Sequence, residues 1–88
     1  MAKEKPLFQV QVFFPAIMNK ESFVGKALTV SSENKLGKFD ILPQHINFIS
    51  LIFNKLTIQT PEKEKIDYQF KKGVLIVKKS KVRVFLGL

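Results

Sequence analysis

Eighty-eight residues, with fifteen Lys and Arg against seven Asp and Glu, make a chain of net charge +8 that is 45% apolar and holds nine Phe, one Tyr and no Trp. That length bounds the protein at one small domain, which hides only about 60–65% of its unfolded surface and so must pack its core efficiently. The balance excludes an acidic or weakly hydrophobic disordered chain, and the basic excess favours negatively charged neighbours such as nucleic acid, anionic lipid or an acidic protein face.

Cysteine is absent, which removes a disulfide framework, a thiolate nucleophile and a thiolate metal ligand. The apolar run Phe13 to Met18 is short and interrupted by Pro15, whereas a membrane-spanning helix needs roughly twenty apolar residues. Met1 to Pro6 lacks the apolar stretch of a signal peptide. The expected location is therefore the cytosol, or the cytosolic side of a membrane.

Period-two patterns dominate the chain. Phe8, Val10, Val12 and Phe14 alternate with Gln9 and Gln11, which predicts a strand with one buried face; Pro15 stops it, since proline cannot donate to a ladder. Val24, Leu28 and Val30 predict a second strand within Ser22 to Ser31. Ser31 to Lys35 reads as turn chemistry closed by Gly37. Phe39 to Leu42 is a short apolar segment ended by Pro43. Ile46 to Phe53 suits a buried strand or a short helix, and its β-branched and aromatic residues favour strand. Asn54-Lys55 predicts a tight turn before the alternating Leu56 to Thr60, and Pro61 to Glu64 predicts a polar turn before Ile66, Tyr68 and Phe70. Lys72-Gly73 predicts another turn into Val74 to Val77, and Ser80 leads to Val82, Val84 and Leu86. About eight to ten short strands at spacings near ten residues predict an all-β fold, an antiparallel β-sandwich of two sheets forming a single domain over residues 1–88 with its core at about 7–86.

Chemistry is sparse. The only histidine is His45; a triad drawn from Ser31 or Ser50, His45 and Asp67 has no local signature around a nucleophile, and a turn histidine bonding backbone or a partner is the simpler reading. One His, no Cys and scattered carboxylates supply no zinc-type spacing, and four isolated glycines form no phosphate loop. The expectation is a non-enzyme without cofactor, metal or small-molecule ligand. Lys71, Lys72, Lys78, Lys79, Lys81 and Arg83 follow the last acid, Asp67. With Tyr68 and Phe70 they suggest a stacking surface for single-stranded nucleic acid. Tyr68 and Phe70, however, share parity with Ile66, which places them toward the core and leaves the lysines as solvated edge and turn residues. A third reading sets these lysines beside anionic lipid headgroups.

The segment Gly37-Lys38-Phe39-Asp40-Ile41-Leu42-Pro43-Gln44-His45, preceded by Val12-Phe13-Phe14-Pro15 and Phe23-Val24-Gly25 and followed by Gly73 to Val77, resembles the N-terminal β-sandwich of the epsilon subunit of rotary F-type ATP synthase. The ordered elements span roughly residues 8 to 86. Departures are Gln44 where relatives have Gly, Ile46-Asn47 where they have Ala-Pro, Lys38 at an often acidic position, and a single glycine at Lys72-Gly73. The family continues into two C-terminal helices that inhibit hydrolysis; this sequence ends at Leu88, so no braking of ATP hydrolysis is expected of it.

The resemblance implies a non-catalytic central-stalk subunit that bridges the gamma subunit and the c-ring, coupling proton transport to ATP synthesis. It also implies a peripheral place on the cytoplasmic side of a bacterial membrane. By motif position, Lys35, Leu36, Gly37 and Lys38 would face the c-ring, and Phe14, Gln44, His45 and Ile46 would lie toward gamma and its junction with the ring. The rival expectations are a basic small barrel that binds single-stranded nucleic acid and a stand-alone adaptor for protein partners.

Overall fold

The computed structural model describes residues 7–15, 17, 22–42 and 47–87. Seven strands run in chain order: β1 (Phe8–Phe13), β2 (Phe23–Ala27), β3 (Thr29–Asn34), β4 (Gly37–Ile41), β5 (Phe48–Gln59), β6 (Lys65–Lys78) and β7 (Lys81–Leu86). The all-β class is as predicted. Among the described residues the layout differs from the prediction in three respects: there are seven strands rather than eight to ten, their hydrogen bonds form one continuous sheet in the order β2-β1-β7-β6-β5-β3-β4, and β1 pairs with β7 in parallel.

The strand count falls because two predicted turns are not turns. Asn54-Lys55 lies inside β5, paired with Phe70 and Gln69, and Lys72-Gly73 lies inside β6, paired with Phe53 and Ile52, so the two flank the register shift. Phe53 pairs with Lys72 and Asn54 with Phe70, leaving Lys71 as the extra residue of a bulge. Inward positions in β6 accordingly change from Ile66, Tyr68 and Phe70 to Gly73, Leu75 and Val77, with Lys71 and Lys72 both exposed. Asn54 takes φ 74°, a conformation asparagine tolerates better than most residues. Turn-forming residues here bend a long ribbon instead of reversing the chain.

Each half of that ribbon carries a wing. β7 and then β1 and β2 extend from Gly73–Lys78 of β6, whereas β3 and β4 extend from Leu56–Gln59 of β5. Only Leu28 separates β2 from β3; its N–H donates to the Gln59 carbonyl at 2.7 Å, so the predicted strand from Ser22 to Ser31 divides between the wings. Ser31 to Asn34, predicted as turn, is strand, and the reversal is confined to Lys35-Leu36. Ser32 can sit buried there because its hydroxyl donates to the Lys55 carbonyl at 2.7 Å, which satisfies a group that would otherwise be costly to bury.

Inward side chains from all seven strands meet in one cluster, including Phe8, Val10, Val12, Val30, Ile52, Leu56, Ile58, Leu75, Val82, Val84 and Leu86. Ile66, Tyr68 and Phe70 are half-buried against it, as their parity predicted. Glycines mark the close approaches. A Cβ on Gly25 would lie 2.9 Å from the ring of Phe23, two residues earlier on the same face, so the aromatic-x-glycine step is a ring folded over a bare backbone.

Burial raises the pKa of the Tyr68 phenol above its ordinary 10.0. The folded state then holds that proton more tightly than the unfolded state, so the contribution is intact below about pH 10 and is lost as pH climbs past it. Tyr68→Phe should flatten the fall in urea stability as pH rises past about 10. Identical alkaline slopes in the two proteins would refute this assignment.

Candidate docking surfaces

The β3–β4 tip collects four of the residues singled out by sequence. Asn34 and Gly37 are paired across the ladder, so Lys35 and Leu36 form a two-residue turn between them. The Asn34 side-chain oxygen accepts the Leu36 N–H at 2.8 Å, an Asx-type turn in which a side chain replaces a backbone partner. Gly37 takes φ 123°, open to glycine and strained for other residues. Leu36 is left 96% exposed, beside exposed Lys35 and Lys38. A leucine held out to solvent by a tethered turn is suited to a partner surface.

Behind the tip lies an open groove of about 410 Å³ lined by Asn34, Leu36 to Leu42 and Phe48. Its floor is braced by the Phe39 and Phe48 rings, 5.6 Å apart and edge-on, and the Asn34 amide reaches the Ser50 hydroxyl at 3.5 Å. The tip is thus tied to β5 of the central ribbon. Phe14 belongs to another part of the rim, half-buried against the core with its ring 5.3 Å from that of Tyr68. Gln44, His45 and Ile46 lie outside the described residues.

The outer surface of the β3–β4 wing is polar and internally matched. Lys55 Nζ lies 3.9 Å from Asp67 Oδ1, which also accepts the Thr57 hydroxyl at 2.6 Å, and Glu33 accepts from the Asn54 amide at 3.2 Å. Such exposed pairs contribute at most about 1 kcal/mol. They leave that wing with little unmet charge.

The outer surface of the β2-β1-β7 wing is different, and the sequence reading missed it. Phe13 and Phe85 stack on it at 5.0 Å, 14° from parallel, and the same ladder row continues through Val74 to Leu51. Phe85 and Leu51 are exposed, as is Ile49 in the next row. The signal was present: Phe13 and Phe85 stand on the parity opposite Val12 and Val84, where a strand facing water would carry polar residues.

Among the described residues no group of three His, Cys, Asp or Glu could hold a metal, and no helix is long and apolar enough to cross a membrane. The fold and its surfaces define a small all-β block with a hairpin tip and a sheet face open to solvent. No protein-family model matches the sequence, and no curated protein matches it. Solved structures do match in fold. A chain in the Euglena gracilis mitochondrial ATP synthase structure containing OSCP, F1 and the c-ring superposes with a TM-score of 0.80 at 11% identity, over 97% of this chain and 53% of that one. A chain in the central stalk and c-ring structure of Tetrahymena thermophila mitochondrial ATP synthase gives 0.70 at 10% identity, over 98% and 66% respectively. This chain therefore spans between about half and two thirds of the length of those chains. The likeness is one of fold, and it agrees with the family that the sequence resembles.

Proposed function

We propose that the protein is a non-catalytic rotor component of an F-type ATP synthase, peripheral to the membrane, that joins the gamma subunit to the c-ring so that proton-driven rotation reaches the catalytic subunits. The observation that carries this reading is a fold shared over 97% of the chain with a chain of an ATP synthase containing F1 and the c-ring. The ordered motifs from Val12 to Val77 support it, as does the exposed Leu36 at the tip. On this reading Lys35, Leu36, Gly37 and Lys38 meet the ring, while Phe14, Gln44, His45 and Ile46 lie toward gamma and its junction with the ring. The task is mechanical. A close-packed interior has low compressibility and transmits load between the surfaces attached to it.

Co-purification of the chain with gamma and c-ring tests the reading directly; recovery of neither would overturn it. For the ring contact, the double change Lys35→Glu and Lys38→Glu should weaken binding to isolated ring at low salt while leaving gamma binding unaltered. Since rim charges act mainly through association rate and salt dependence, an unchanged association rate at low ionic strength would refute the ring-facing assignment.

A further inference from the structure

We propose that the outer face of the β2-β1-β7-β6 wing is a docking surface for an acidic protein partner, one that brings a row of carboxylates beside an apolar ridge. The proposal rests on the register of this face and stands whether or not the rotor reading does.

Three ladder rows cross the strands, about 4.8 Å apart from strand to strand. The first is Lys26, Gln9, Lys81 and Lys78; the second brings Gln11 and Arg83 together between Val24 and Ile76. The third is the apolar row Phe13, Phe85, Val74 and Leu51. Lysines and arginine thus border a hydrophobic strip on one continuous surface. Lys79 adds a further charge at the β6–β7 turn, where positive φ at Lys79 and Ser80 marks a two-residue hairpin of the primed type.

Among the described residues these cations have no acidic partner. β1, β2, β5 and β7 contain no acid, and β6 contains none after Asp67. The ion pair found among the described residues, Lys55 with Asp67, belongs to the other wing. Lys78 and Lys81 face each other directly across the hairpin, and like charges so placed destabilise a sheet. Two shallow hollows share Lys81 and Arg83, one continuing to Gln9, Gln11 and Lys26 and the other to Ile76, Lys78 and Lys79. Carboxylates seated there would relieve the repulsion, and they would be drawn in from roughly a Debye length, about 10 Å at 0.1 M salt.

The apolar row selects a protein over a simple polyanion. Phosphate polymers would satisfy the lysines and leave Val74, Leu51 and Ile49 against water. The Phe13 and Phe85 rings are stacked on each other, so the ring faces turned toward each other are closed to an inserted base unless the stack parts. A protein ridge can bury the whole strip while its acids meet the first two rows.

The test follows the backbone amide NMR signals of the full chain during titration with a designed helical peptide carrying one glutamate stripe and one leucine stripe. The same peptide with lysine in place of glutamate, a twelve-residue oligothymidylate and phosphatidylglycerol vesicles are run in parallel. The glutamate peptide should shift Gln9, Gln11, Val74, Arg83 and Phe85 and leave the Lys35–Lys38 tip unmoved. Lys81→Glu with Arg83→Glu should weaken it roughly tenfold, the scale of about 1.4 kcal/mol, whereas Lys35→Glu with Lys38→Glu should not. Equal binding of the lysine peptide, tighter binding of the oligonucleotide or the vesicles, shifts confined to the tip, or no shift at all would each overturn the proposal.

Discussion

Replacing Gly73 with alanine is expected to cost about 2–3 kcal/mol of stability, a large fraction of what a domain this small possesses. Gly73 follows the bulge in β6 and is paired on both sides, with Ile52 of β5 and Leu86 of β7. A Cβ there would stand 2.7 Å from the Phe85 carbonyl oxygen and 2.9 Å from a Leu86 methyl. The oxygen is backbone, held in a ladder, and cannot swing aside as a side-chain tip can. Relief would require separating β6 from β7, where Leu75, Val77, Val82 and Val84 bury their side chains. Thermal unfolding should register a fall of about 10–20 °C for a domain of this length. A midpoint unchanged within error would mean that the strands part more freely than this geometry allows. Gly25→Ala should be milder, because the Phe23 ring that it would meet can rotate away.

Leu36→Asp carries the largest expected effect on association. With 96% of its surface open, Leu36 contributes almost nothing to the core, and the turn is held by Asn34 and Gly37. On the rotor reading proposed above, the variant should therefore melt with the parent protein while its affinity for isolated c-ring falls by roughly 30-fold or more, the scale of about 2 kcal/mol at an interface anchor. Aspartate adds a desolvation cost to the loss of apolar contact, so its effect should exceed that of Leu36→Ala. Full ring affinity in a correctly folded Leu36→Asp protein would remove the tip from the interface. Loss of gamma binding with ring binding intact would reassign the tip to the other partner.

Strand content was legible because burial follows parity: Val10 and Val12, Leu56 and Ile58, Val82 and Val84 all turn inward as their alternation demands. The continuity of β5 and β6 was not legible. Asn54-Lys55 and Lys72-Gly73 carry the same residue types whether a chain reverses or a ribbon bends, and only their pairing across the ladder distinguishes the two. Parallel pairing of β1 with β7 was equally hidden, since alternation records which face a residue occupies and nothing about its neighbouring strand. At the tip, Gly37 and the residues around it were legible as a turn, though Ser31 to Asn34 proved to be strand. That Phe13 and Phe85 meet was not legible, because parity sets each residue's face and does not reveal that β1 and β7 are neighbours.

The bent β5–β6 ribbon has one further consequence. Neither wing owns an interior: Leu56 and Ile58 of one half and Leu75 and Val77 of the other close a single cluster with β1, β3 and β7. A break at the bend exposes both sets at once, so the molecule has no smaller folded remnant to fall back on. Strain introduced at the hairpin tip is therefore borne by the whole body and not by a detachable lobe, which suits the coupling role proposed above.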